Sequence, residues 1–221
     1  MIDIELYISQ LIPLLKNKFG SRLIYVGLQG SYLRGEATET SDIDIMVVID
    51  GLSVSDLGSY RSIIQTMPYT DRSCGFICSR KDLENWNPLE IWNLINGTQD
   101  YFGVLLDLIP GYTENDIRNF VKMSINNLYH ELCHRYIHGD PVNTVQALPG
   151  IYKGVFFILQ NLQYLKDRQC PASKMELLAL LEGKNKAVLQ RSLELNRGAV
   201  YDFDGSFELL FTWCQDTLES L

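Results

Sequence analysis

The stretch Gly30-Ser31-Tyr32-Leu33-Arg34-Gly35-Glu36-Ala37-Thr38-Glu39-Thr40-Ser41-Asp42-Ile43-Asp44-Ile45 decides how this chain is read. Its opening Gly30-Ser31 pair forms a short turn or helix start, where a residue without a Cβ lets backbone N–H groups close on an anion. Eleven positions after Ser31 stands Asp42, followed two residues later by Asp44. The apolar run Ile45-Met46-Val47-Val48-Ile49 behind them reads as a buried strand. Residues i and i+2 of a strand share a face, so Asp42 and Asp44 project together while Ile43 and Ile45 turn into a core. Two carboxylates side by side repel unless a cation lies between them, and all-oxygen ligation suits Mg²⁺. A phosphate-gripping turn beside such a pair implies a site for a Mg²⁺-nucleoside triphosphate.

Upstream of this stretch, Leu23 to Leu28 reads as the strand that feeds the turn, with residues 31–36 as a short helix after it. Ile4, Ile8, Leu11 and Leu15 recur at helical spacing, with Lys16 and Lys18 in the last turn and Gly20 behind, which predicts a helix over 4–19. Downstream, the pattern predicts a helix over 55–67 that stops at Pro68, a short strand over 74–78, a helix over 79–96 and an edge strand within 101–109. A boundary falls at Ile109-Pro110-Gly111. From the capping-box-like Thr113-Glu114-Asn115-Asp116 onward the chain reads helical, over 114–138, 150–167, 174–182, 184–195 and 205–220. The expected organisation is an α+β first domain over residues 1–110 and an all-α second domain over 111–221.

An apolar fraction of 46 % and a charged fraction of 21 % are those of an ordinary globular chain. No run approaches the ~20 apolar residues of a membrane-spanning helix. The N-terminal Met1-Ile2-Asp3-Ile4-Glu5 carries acids where a signal peptide carries base, and an odd count of five scattered cysteines suits free thiols in a reducing compartment; the expectation is a cytoplasmic protein away from membranes. The net charge of −8, from 19 Lys+Arg against 27 Asp+Glu, argues against nucleic acid as partner, since phosphate backbones demand basic surface. It suits a small or cationic partner molecule.

Gly30-Ser31, then Arg34-Gly35, then Ser41-Asp42-Ile43-Asp44 and an apolar strand together resemble the signature of the polymerase-β-type nucleotidyltransferase superfamily, in the form carried by small bacterial antibiotic and minimal nucleotidyltransferases. The resemblance covers about a fifth of the chain. It implies a mixed sheet flanked by helices for the first domain and a helical bundle for the second. It also implies Mg²⁺ held by Asp42 and Asp44, a triphosphate cradled by Gly30 and Ser31, and Arg34 reaching the phosphates as a charged fork. Ser41 is expected to cap the turn and orient Asp42. The implied reaction passes a nucleoside monophosphate, with ATP as the expected donor, to an acceptor hydroxyl such as that of an aminoglycoside or lincosamide. A protein-adenylylating antitoxin-type enzyme and a nucleotide-binding module without turnover are the alternatives. Homodimers are compatible with the family, although no exposed apolar stripe in the sequence demands one.

The chain departs from the pattern at one place. The family supplies a third carboxylate from the strand after the intervening helix, but Cys74-Gly75-Phe76-Ile77-Cys78 contains none; Cys74 or Gly75 occupies the expected place, and Asp71, Asp82 and Glu84 only flank it. Cys74 and Cys78 themselves read as small buried apolar residues. A candidate base lies in the second domain: on helix 114–138, Glu131 and Arg135 fall on the apolar face defined by Ile117, Val121, Ile125, Leu128 and Leu132. They are either an i, i+4 ion pair or, with Glu131 facing a cleft, a general base. His130-Glu131-Leu132-Cys133-His134 also matches the His-Glu-x-x-His zinc motif, but His138 lies about 12 Å along the same helix from His130, too far to share its ion. A solvated histidine face is the better reading.

Overall fold

The computed structural model describes residues 2–221. The chain divides into two compact units, one running to Tyr112 and the other from Thr113 to Leu221.

In the first unit, α1 (Ile4–Phe19) starts at Asp3, whose carboxylate accepts the Leu6 N–H at 3.0 Å, and ends at Gly20. Its buried stripe, Tyr7, Ile8, Leu11 and Leu15, lies on a four-stranded sheet made of β1 (Leu23–Leu28), β2 (Ile43–Ile49), β3 (Ser73–Cys78) and β4 (Gln99–Phe102). The strand order is β3-β2-β1-β4; β1 runs antiparallel to β2 and β4, whereas β2 and β3 are parallel. This is the mixed sheet expected from the sequence. Between β1 and β2 sits the one-turn helix α2 (Gly30–Leu33).

A parallel pair needs a crossover connection, and α3 (Val54–Thr66) supplies it. Asp56 and Ser53 close a reciprocal capping box at its start. The same carboxylate takes the Arg22 guanidinium at 2.6 Å, and Arg22, followed by Ser53, holds Asp56 well below the usual carboxylate range. Alternation along β2 serves two cores. Ile43, Ile45, Val47 and Ile49 pack on the α1 side, while Met46 and Val48 meet Tyr25, Leu83 and Leu105 on the other.

Three local expectations are corrected. The helix after Gly30 spans only 30–33, because Gly35 adopts φ 65° and stops it. The 79–96 segment is two helices, α4 (Arg80–Glu84) and α5 (Pro88–Asn96), since Asn87 caps α5 and cannot be helical before Pro88. The edge strand ends at Phe102, where Gly103 turns with φ 78°, and Leu105–Asp107 forms a 3₁₀ turn.

The second unit contains α6 (Glu114–His138), α7 (Pro141–Tyr152), α8 (Val155–Asp167), α9 (Lys174–Leu180), α10 (Gly183–Asn196) and α11 (Phe203–Ser220). The sequence places one helix over 150–167. The structure instead ends α7 at Tyr152 and starts α8 after Gly154, and α7 begins earlier, capped by Asp140 with Pro141 in its first turn. Val121, Ile125 and Leu132 of α6 pack with Tyr152, Leu159, Leu189, Leu210 and Trp213 in one core. Within it the Tyr152 hydroxyl donates to the Ser206 carbonyl at 2.6 Å, and the Ser192 hydroxyl donates to the Tyr152 carbonyl at 2.9 Å. Tyr152→Phe should therefore cost about 0.5–1.5 kcal/mol, the net contribution of one buried hydrogen bond, since the Ser206 carbonyl keeps its place in the α11 ladder. Urea unfolding would show this as a lower midpoint at constant slope. Among the described residues no helix is long and apolar enough to cross a membrane.

Candidate active site

The candidate site is built where β1 hands over to α2 and where β2 begins. The Gln29 N–H donates to the Asp44 carbonyl at 2.8 Å, which pins the start of α2 to the first turn of β2. Gly30 follows with φ 72°. A Cβ on Gly30 would lie 1.9 Å from Oδ2 of Asp44, so the backbone at the helix start lies directly against this carboxylate. Only glycine fits there, both for the left-handed backbone and for the approach. The Gln29 side chain adds a bond to the Thr98 hydroxyl at 2.8 Å, which ties the turn to the segment leading into β4.

Asp44 is half-buried and Asp42 exposed, while Ile43 and Ile45 between and behind them are fully buried. Burial pushes the Asp44 carboxyl up, and the Asp42 charge adds to the rise; Cys74 and Arg34 oppose it. The two carboxylates thus sense one another. Arg34 is close enough to act on Asp44, yet its Nε is bonded to Glu36 at 3.0 Å, with both side chains mostly buried. The Arg34-Gly35-Glu36 spacing contains this pair, which the motif by itself does not announce. Ser31 is half-buried on α2, and its carbonyl accepts the Glu36 N–H at 2.9 Å. Ser41 accepts the Thr38 N–H at 2.8 Å and closes the turn ahead of Asp42, the capping arrangement expected of it.

Cys74 differs from expectation: it is exposed rather than buried, whereas Cys78 is buried. The parallel register pairs Cys74 with Asp44 and Gly75 with Ile45. The thiol therefore faces the carboxylate from the neighbouring strand.

Mg²⁺ fits these residues in one particular way. Among the described residues no group of three or more His, Cys, Asp or Glu is arranged to hold a metal ion. An ion at Asp42 and Asp44 would draw the rest of its oxygen shell from phosphates and water, which is how Mg²⁺ is commonly held beside nucleotides. The close Gly30–Asp44 approach puts the backbone of the turn next to that position.

In the second unit, Glu131 accepts from Nε of Arg135 at 2.8 Å one helical turn away, and both side chains are about two-fifths exposed, at 43 % and 41 %. This is the i, i+4 ion pair that the sequence offers as one of two readings. His130, His134 and His138 line the exposed side of α6 with ring centroids 6.0 and 5.2 Å apart in succession. With Glu131 bound to Arg135 and no third ligand among the described residues, the His-Glu-x-x-His match carries no zinc-peptidase chemistry.

The family model for the nucleotidyltransferase domain matches residues 8–130, more than half of the chain. The chain belongs to this family. As a nucleotidyltransferase it is 46 % identical over 46 residues to a Methanocaldococcus jannaschii chain that is named for protein adenylyltransferase activity. That match takes in 21 % of this nucleotidyltransferase and 46 % of the archaeal chain, just under half the length of the relative. The fold is similar to that of a spectinomycin adenyltransferase from Enterococcus faecialis, solved with ATP and spectinomycin. The TM-score is 0.57 at 12 % identity, covering 96 % of this chain and 98 % of that one. At that identity the likeness is one of fold, and it extends over both units of the nucleotidyltransferase.

Proposed function

We propose that this nucleotidyltransferase moves AMP from Mg²⁺-ATP to a hydroxyl of a small, cationic or neutral acceptor and releases pyrophosphate. The observation that carries the reading is the packing of the Gly30 backbone against Asp44 beside Asp42, which makes phosphate cradle and metal ligands one structure. The acceptor oxygen attacks the α-phosphorus, the bond to the bridging oxygen of the β-phosphate breaks, and the hydroxyl proton leaves to a base or to solvent. In this reading Asp42 and Asp44 hold the ion that neutralises the triphosphate, Gly30 and Ser31 cradle its terminal phosphates, and Arg34 adds positive charge. ATP as donor is supported by the names of the archaeal relative and of the enterococcal structure. The acidic composition supports a cationic acceptor over nucleic acid.

The archaeal match favours a second reading, in which the acceptor is a protein hydroxyl. One experiment separates the two: pyrophosphate release from each nucleoside triphosphate with Mg²⁺, against spectinomycin, aminoglycosides and lincosamides, with intact mass measured on the chain and on co-purified proteins. Release that depends on a small molecule supports the first reading. A mass gain of one adenylyl group on a protein supports the second. Mg²⁺-dependent ATP binding with neither outcome would make the chain a nucleotide-binding module.

A further inference from the structure

The strand beside Asp44 carries no carboxylate. In a parallel pair about 4.8 Å apart, the residue in register on the next strand is the nearest place from which another ligand can be offered on the same face. That residue is Cys74. Its neighbours cannot replace it. Gly75 has φ 139°, and a Cβ there would lie 2.0 Å from the Ile45 carbonyl oxygen, so the position admits no side chain. The Ser73 hydroxyl meets the Tyr7 hydroxyl at 3.4 Å, and Phe76 packs edge-on against Trp86. Asp82, beyond the end of β3, is committed to its capping box with Ser79. Nor do Asp42, Asp44 and Cys74 form a trio arranged to hold an ion.

Two carboxylates completed by phosphate oxygens and water satisfy one octahedral ion, whereas a pair of ions clamping the attacking and leaving oxygens needs more anionic ligands than these. We propose that this site works with a single divalent ion, the one that arrives with the triphosphate, and that Cys74 is the residue that sets this count. It is a positioning residue: its thiol faces Asp44 where a carboxylate would complete a second ion's shell. The inference rests on the nucleotidyltransferase reading and deepens it, because a one-ion site gives the attacking hydroxyl no metal of its own.

The test counts ions rather than turnover. The full-length chain is saturated with the non-hydrolysable analogue α,β-methylene-ATP and titrated with Mn²⁺, and free Mn²⁺ is read by electron paramagnetic resonance. The expected result is about one Mn²⁺ per chain for the wild type and for Cys74→Ser, and about two for Cys74→Asp, whose new carboxylate supplies the missing ligand. Two ions in the wild type would overturn the inference, as would a folded, nucleotide-binding Cys74→Asp that stays at one. Should Cys74→Asp lose its circular dichroism, the wild-type and Cys74→Ser counts decide alone. An inability of the wild type to bind the analogue at any Mn²⁺ concentration would overturn the nucleotidyltransferase assignment of this site and the inference with it. Binding of the analogue with two ions overturns only the inference.

Discussion

Asp44→Asn should lower nucleotidyl transfer by about a thousandfold or more and yet leave the chain at least as stable at neutral pH. On the proposed function, the loss follows from the several kcal/mol that an ion held by Asp44 would contribute to stabilising charge on a transferring phosphoryl group; about 4 kcal/mol corresponds to three decades in rate. The gain in stability follows from the burial of Asp44. Its carboxyl is pushed up chiefly by desolvation and then by Asp42. A carboxyl whose value is higher in the folded than in the unfolded chain binds its proton more tightly when folded. Its charge therefore costs stability at all pH above the folded value, and the cost vanishes as pH falls below the unfolded one. The advantage of the asparagine variant in thermal denaturation should accordingly be present at pH 7 and fade on acidification. Mg²⁺-nucleotide should reverse the order, because a ligand at a hundred times its Kd adds about 2.7 kcal/mol to the state that binds it. Only the wild type should respond. An Asp44→Asn chain stabilised by Mg²⁺-ATP as strongly as the wild type would show that the metal lies elsewhere.

Gly30→Ala should disable the same site from its other side. The backbone there has φ 72°, which costs an L-residue about 1–2 kcal/mol, and the new methyl would enter the Asp44 carboxylate at 1.9 Å from Oδ2. The carboxylate must rotate or the turn must open, and either movement separates the Gly30 backbone from the two aspartates that the proposed function uses together. We expect a fall in stability of about 1–3 kcal/mol together with loss of measurable Mg²⁺-ATP affinity by calorimetry. Gly35→Ala is the control. It has φ 65° but nothing within 4 Å of an added Cβ, so it should lose comparable stability and keep its nucleotide. Equal loss of binding in both variants would mean that strain, not the Gly30–Asp44 contact, governs the site.

Much of this arrangement is legible in the amino-acid sequence. Strand alternation puts Ile43 and Ile45 inward and the two aspartates together, and Ser41 announces a turn cap. The helix over 4–19 follows from apolar periodicity with Gly20 behind it, and α6 from the same periodicity opened by the Thr113–Asp116 box. Part of what stays hidden depends on partners far apart in the chain, and part on local bends. The resemblance leaves Cys74 and Gly75 as equal candidates for the place beside Asp44, and only the register set when α3 crosses between β2 and β3 chooses Cys74. The Arg34–Glu36 pair is invisible to periodicity because two residues apart is no neighbour relation on a helix; the bend after α2 creates it. The breaks at Asn87-Pro88 and Lys153-Gly154 are masked where amphipathic spacing runs on across them.

The sheet order also dictates a sequence of events during synthesis. β1 is bordered on one side by β2 and on the other by β4, whose first residue, Gln99, follows the last residue of β1, Leu28, by 71 positions. At about 5–20 residues per second, roughly 4–14 s separate the two on the ribosome. Throughout that interval the apolar segment Leu23–Leu28 presents an unpaired edge, the kind of surface that recruits other chains. The Tyr25–Asp100 and Gln29–Thr98 bonds cannot form earlier either. Nascent chains truncated between α3 and β4 should therefore depend on chaperones, and the dependence should end once residue 102 has emerged.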